Sequence, residues 1–223
     1  MSTSLTRRLK NRWWIAGIRL GSWRERWLRT LNPERMRHFH YSWPLRPDDC
    51  PCDLEFAELL VARGIRGKSI FHFGSGGHHW IGRCNHEAQL DNEVLALTLS
   101  PREHASYVSS IVRDPSLGRH YKVLFADLYA LNAAGLPTFD IVTLFHLCEF
   151  SPPAGDPQRL DDEHVLRLFR SRLSREGLMI FYSGSFACAK QAPIIEQAVA
   201  GGLLSFVEEF KSLRIYRAGD LAP

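Results

Sequence analysis

The chain has 223 residues and a mass of 25.5 kDa, is 45% hydrophobic and 23% charged, and carries a formal net charge of +4. That is enough apolar material for one domain core, and it excludes a chain disordered throughout or a small disulfide scaffold. The charge is divided, because residues 1–47 hold 11 Lys/Arg against 2 Glu, a net of +9, whereas residues 48–223 hold 17 against 22 Asp/Glu, a net of −5.

The first 47 residues also contain five of the six tryptophans: Trp13, Trp14, Trp23, Trp27 and Trp43. Leu5, Leu9, Trp13, Ala16, Leu20, Trp23, Trp27 and Leu31 recur in steps of four and three, which is one helical face, with most of the Arg and Lys off it. Gly17 and Gly21 weaken the middle, so one helix or two short ones with a bend both satisfy the spacing; Pro33 ends the segment. Residues 1–47 therefore read as a basic, Trp-rich helical arm. Pro44, Pro47 and Pro51, around Asp48 and Asp49, set it off from a body over residues 48–223.

Three roles compete for the arm. Its face can pack on the neighbouring domain or a protein partner, or lie on an anionic membrane surface, where each Lys or Arg contributes about 1 kcal/mol. Nucleic acid is disfavoured, because the body is acidic and shows no reading module. The apolar run Trp13 to Ile18, flanked by Arg12 and Arg19, is too short to span a bilayer or to act as a secretory signal. Five Cys without regular spacing fit a reducing compartment. A cytoplasmic protein, peripheral on a membrane if the arm attaches there, is the expectation.

In the body, Asp53 to Arg63 predicts a helix capped by Asp53. Lys68 to Phe73 predicts a strand running into Gly74-Ser75-Gly76-Gly77, followed by a short helix near Trp80 and a buried strand from Glu93 to Thr98. Ser100-Pro-Arg-Glu is a helix start, with a Ser cap and a first-turn Pro, and that helix reaches about Arg113. Strands follow at Tyr121–Asp127 and Phe139–His146, then a helix from Asp161 to Arg175, a strand from Gly177, a helix at about 190–199, and two β-runs near Leu203–Glu208 and Leu213–Arg217. Alternating strands and helices indicate a mostly parallel sheet covered on both faces. The last two runs are too close for a helical crossover, so one is antiparallel. The fold class is α/β: a doubly wound, mostly parallel seven-stranded sheet with an N-terminal helical extension.

Ligands in such sheets bind beyond the carboxyl ends of the strands. Two nucleotide patterns fail on spacing: G-x-G-x-x-G needs glycine where His79 stands, and a Walker A loop ending at Gly67-Lys68-Ser69 needs glycine where Ala62 stands. Over about residues 53–218 the chain resembles the class I S-adenosylmethionine-dependent methyltransferases. The resemblance is carried by Ile70-Phe-His-Phe-Gly-Ser-Gly-Gly, Val94-Leu-Ala-Leu-Thr-Leu-Ser-Pro, Phe125-Ala-Asp127-Leu128, Phe139 to Phe150, and Leu173-Ser-Arg-Glu-Gly-Leu-Met-Ile-Phe.

The resemblance implies S-adenosylmethionine as cofactor, with His72, Gly74, Ser75, Gly76, Gly77, His78, Thr98, Asp127, Leu128 and Phe145 as its binding set. Asp127 falls where the family meets the adenine, and His78 and His79, at a helix start, would face the methionine carboxylate. His72 and Thr98 depart from the family, which usually has acidic residues at both positions. The implied activity is methyl transfer to a small-molecule or lipid-linked acceptor. His146 would take a proton from the acceptor and Glu149 would orient the ring or pair with an amine; His146 merely lining the cleft is the equal alternative. Residues 72 and 98 keep a second function open, a degenerate relative that serves as a binding or assembly subunit through its arm. The spacings among His72, His78, His79, Cys84 and His86 match no tetrahedral zinc pattern, and Cys50-Pro-Cys52 reads as a lone pair on a loop, so no metal is expected.

Overall fold

The computed structural model describes residues 36–153 and 155–219. The helical face from Leu5 to Leu31 lies outside the described residues. Among the described residues, five α-helices and seven strands follow in chain order: α1 (Cys52–Ala62), β1 (Ser69–Phe73), α2 (Trp80–Glu87), β2 (Glu93–Thr98), α3 (Pro101–Arg113), β3 (Tyr121–Phe125), β4 (Phe139–Thr143), α4 (Asp162–Ser171), β5 (Leu173–Tyr182), α5 (Cys188–Ala200), β6 (Leu204–Phe210) and β7 (Leu213–Ala218). The strands form one sheet in the order β3-β2-β1-β4-β5-β7-β6, in which the sequence of strands switches sides between β1 and β4. β7 runs antiparallel to both β5 and β6, and every other pairing is parallel. This is the doubly wound sheet with a terminal reversed hairpin that the alternation predicts.

Side chains one apart on a strand face opposite sides of the sheet, and the core divides accordingly. Ile70, Val94, Tyr121, Ile141, Ile180 and Ile215 pack under Phe56, Leu59 and Leu60 of α1 and Ile81 of α2. Phe71, Leu97, Val142, Met179, Phe181 and Tyr216 face Val165, Leu166 and Phe169 of α4 and Ile195 and Ala198 of α5. Each such side chain, fully buried, stabilises the fold by about 1.5–3 kcal/mol. Gly82 lets α2 lie directly on β3, since a Cβ there would sit 2.3 Å from the Tyr121 ring.

Two local expectations change. Asp53 does not cap α1: Pro51 stands at the cap, and the Asp53 carboxyl is buried. The helix expected to reach Arg175 ends at Ser171, because Leu173 already pairs with Phe139 as the first residue of β5. Apolar spacing alone cannot separate the end of a helix from the start of a buried strand. No described helix is long and apolar enough to cross a membrane.

Candidate active site

A cleft opens at the carboxyl ends of β1, β2 and β4, where the strand order reverses, which is the expected ligand position in such a sheet. Its floor is the turn after β1. Gly74 and Gly76 take φ of +94° and +55°, and a Cβ on Gly76 would lie 2.3 Å from the His78 ring. Of the residues expected to bind a cofactor, Gly74, Gly76, His78, Thr98, Asp127 and Leu128 line the cleft, and so do His146 and Glu149.

Four expected residues do not line it. His72 is buried below the turn, with Nδ1 2.8 Å from Thr143 Oγ1. Phe145 is buried against Phe56 and His72. Ser75 is buried, its N–H donating to Leu97. Gly77 donates its N–H to the Trp43 carbonyl at 2.9 Å, and a Cβ there would meet Ser42 Oγ at 2.0 Å. His79 also turns away from the cleft, its Nδ1 lying 3.1 Å from the Tyr121 hydroxyl in the core.

Two acidic groups from elsewhere in the chain stand beside positions 72 and 98. Asp53, on the first turn of α1, places Oδ1 3.5 Å from His72 Nε2 and Oδ2 3.4 Å from His78 Nε2. Burial pushes the Asp53 carboxyl up to about 7, with the His146 charge opposing. Burial likewise lowers His72 to about 3, and burial with the charges of His79 and Arg83 lowers His78 to about 4. These are contacts of neutral imidazoles, not ion pairs. Glu103, on the first turn of α3, accepts the Thr98 hydroxyl at 2.6 Å and is itself only 2% exposed. Burial raises its pKa against the opposing pull of the Thr98 and Trp43 hydrogen bonds. A Ser-x-x-Glu start predicts a carboxylate turned back to its own cap, but Thr98 Oγ1 takes the Ser100 N–H instead and leaves Glu103 to the cleft.

Residues 37–43, placed in the arm by composition, form a strap across the cleft. Phe39 N–H donates to Leu99 O at 2.9 Å, and Trp43 N–H donates to Glu103 Oε1 at 2.8 Å. Arg37 donates from Nε and Nη2 to the two oxygens of Asp127 at 2.7 and 2.8 Å, and Arg159 Nε adds a third bond at 2.9 Å. Burial acts to raise the Asp127 pKa, but the Arg37 and Arg159 contacts outweigh it and hold it below the usual range. Asp127, expected at the adenine, is therefore committed to two arginines of its own chain. Phe39, Trp43 and Phe150 pack edge to face, with ring centres 5.3–6.3 Å apart. Under the strap the cleft encloses about 150 Å³, less than the roughly 300–1,000 Å³ of a typical small-molecule site.

The turn after β4 carries the second cluster. Gln191 of α5 donates to the carbonyls of Phe145 and Leu147 and fixes the turn. His146 Nδ1 lies 3.1 Å from Glu149 Oε1, which also accepts the Ser185 hydroxyl at 2.7 Å. His146 Nε2 faces Cys52 Sγ at 3.8 Å, and the two sulfurs of Cys50 and Cys52 are 3.4 Å apart. Burial disfavours the charged His146 ring, but hydrogen bonds to Cys50 and Glu149 prevail and raise its pKa. The Cys52 hydrogen bond, and then His146, lower the Cys50 thiol. The Cys-x-Cys pair is thus no isolated loop feature. Within the histidine-rich run, His72 and His78 meet at Asp53, but His86 does not join them and faces Asp114 and Ser116.

A sheet in this order, reversed only at β7, with a glycine turn after β1, is the fold of the class I S-adenosylmethionine-dependent methyltransferases. Solved structures carry the same architecture. A putative caffeoyl-CoA O-methyltransferase from Staphylococcus aureus superposes with a TM-score of 0.58 at 9% identity, over 87% of this chain and 90% of that one. The CcbJ methyltransferase from Streptomyces caelestis gives 0.57 at 13%, over 79% and 93%. The chain spans only 38% of the coclaurine N-methyltransferase structure, with 63% of its own residues, at 17% identity and a TM-score of 0.44. No family model and no curated protein sequence matches the chain. At these identities the likeness is one of fold.

Proposed function

We propose that this chain binds S-adenosylmethionine and catalyses methyl transfer to a small-molecule or lipid-linked acceptor. The observation that carries this reading is the Glu103–Thr98 pair at the end of β2, which shares one cleft with the glycine turn of β1. With residues 37–43 in place the cleft is too small for that group, so binding requires the strap to give way; the residues beneath it fit the group. Gly74 and Gly76 offer bare backbone to its amino-acid portion, Glu103 offers a buried carboxylate to its ribose hydroxyls, and Phe73, Leu97 and Leu128 offer apolar walls to its base. When bound, the cofactor supplies an electrophilic methyl group on a sulfonium. The chain's part is to align an acceptor with that methyl and to exclude water. Both ring nitrogens of His146 face groups of the chain itself, so the geometry favours a positioning role for His146 over that of a free base.

Isothermal calorimetry of the full chain with S-adenosylmethionine and its demethylated product tests the reading. Micromolar binding of both is expected. Failure of either to bind the folded protein favours the second reading, an assembly subunit. That reading draws on the strap, whose backbone and Arg37 already occupy Glu103, Gly77 and Asp127.

The arm's positive charge and tryptophans support attachment to an anionic surface. Full-length protein should co-sediment with phosphatidylserine vesicles in a salt-sensitive way, and a chain starting at Asp48 should not. Equal pelleting of both chains would exclude the arm as the anchor.

A further inference from the structure

Cys50, Cys52 and His146 bring two sulfurs and one imidazole nitrogen to a common point, all within 4.8 Å of one another. Cys50 Sγ is 3.4 Å from Cys52 Sγ, and Cys52 Sγ is 3.8 Å from His146 Nε2. Around a tetrahedral zinc ion, with Zn–S of about 2.3 Å and Zn–N of about 2.0–2.1 Å, neighbouring sulfurs lie about 3.8 Å apart and sulfur and nitrogen about 3.5 Å. Both the Cys50–Cys52 and the Cys52–His146 spacings are therefore within a few tenths of an ångström of those in a ligated site, and the third pair lies within 4.8 Å.

The scaffold is specific to the arrangement. Pro51 stands between the cysteines at the cap of α1, with φ −79° and ψ 0°, while the turn after β4 presents His146. His146 turns Nδ1 to Glu149, and Ser185 holds Glu149 in place. A carboxylate on the far ring nitrogen is the usual outer partner of a metal-bound histidine, because it fixes the tautomer and the ring orientation. Two thiolates and one imidazole suit a borderline-soft divalent ion and fit hard cations poorly. Among the described residues, no other group of three such side chains converges.

We propose that Cys50, Cys52 and His146 form a zinc site, with Glu149 as its outer-shell partner and the fourth coordination position open to the cleft. All four residues line that cleft, so water or an acceptor heteroatom can complete the tetrahedron. As the two Zn–S bonds and the Zn–N bond form, any protons on the sulfurs and on His146 Nε2 pass to solvent, and Nδ1 keeps its proton and donates it to Glu149. No oxidation is involved. The site stands whether or not the cleft binds S-adenosylmethionine.

The test uses full-length protein, purified under reductant, stripped of metal and titrated with Zn²⁺ or Co²⁺ alone. One equivalent of metal should bind with sub-micromolar affinity, and the cobalt form should show thiolate-to-metal charge transfer with the intense visible bands of a four-coordinate ion. Cys50→Ser should abolish most of the charge-transfer intensity, and Cys188→Ser should leave it intact. Glu149→Gln should keep the cobalt spectrum and weaken zinc binding by about 10–100-fold. Cys50→Ser changes a partly exposed residue; should it still fail to fold, the wild-type cobalt spectrum reports the thiolates directly. A cobalt spectrum without thiolate bands, metal retained at full affinity in Cys50→Ser, or a reduced protein that binds no zinc would each overturn the proposal.

Discussion

Asp127→Asn should cost about 3–5 kcal/mol of stability, the range for removing one partner of a buried ion pair. The substitution keeps the shape of the side chain but removes its charge, so Arg37 is left facing a neutral amide and Arg159 keeps Asp156 as a carboxylate partner. The Asp127 side chain is fully buried, and those of Arg37 and Arg159 are 10% and 5% exposed. At about 2–4 °C per kcal/mol for a chain of this size, Tm should fall by about 6–20 °C. The pH dependence has a definite sign. The native pKa of Asp127 is depressed, so its contribution is present above its unfolded value of about 3.9 and is lost as pH falls through the native one. The variant should therefore lack part of the wild type's loss of stability in acid. A thermal or denaturant scan showing a change under about 1 kcal/mol would mean that this pair does not hold the strap.

Glu103→Gln should weaken S-adenosylmethionine binding by about a hundred-fold or more while leaving the fold nearly as stable. Glutamine preserves the carbonyl oxygen and the packing of α3. What it removes is the charge that strengthens hydrogen bonds to hydroxyls, worth about 1.5–3 kcal/mol each, with 1.4 kcal/mol equal to tenfold. Unchanged affinity, measured by calorimetry, would move the ribose contact away from Glu103. The companion Thr98→Val should have a smaller effect on binding, because the Thr98 hydroxyl orients the carboxylate and accepts the Ser100 N–H but leaves the charge itself in place.

The sheet could be read from the sequence because its signals are local. Ile70, Phe71 and Phe73 run into glycines, Ser100 and Pro101 open a helix, and Leu213 to Arg217 follows too closely to cross over. Of the site residues expected from the sequence, Gly74, Gly76, His78, Thr98, Asp127, Leu128, His146 and Glu149 line the cleft, because the fold itself places them at the strand ends. Local spacing places Asp53 at a helix cap and Glu103 in a capping pattern. Each is instead drawn into the cleft by partners 19–60 residues away, His72, His78 and Trp43. Cys50 and Cys52 looked isolated because His146, the group that gives them meaning, lies 94 residues beyond Cys52. The strap was hidden for the same reason. The composition of residues 1–47 is uniform, and nothing in it marks Arg37 as the partner of Asp127.

The strap has a thermodynamic corollary. Trp43 lines the cleft and donates to Glu103 Oε1, so a ribose that takes the place of Trp43 at that oxygen displaces the strap. Reciprocity then requires that any force drawing the N-terminal segment elsewhere, whether a charged bilayer or a second protein, tighten cofactor binding by the same factor by which the cofactor tightens that attachment. Recruitment and loading of the protein would then be two readings of a single equilibrium.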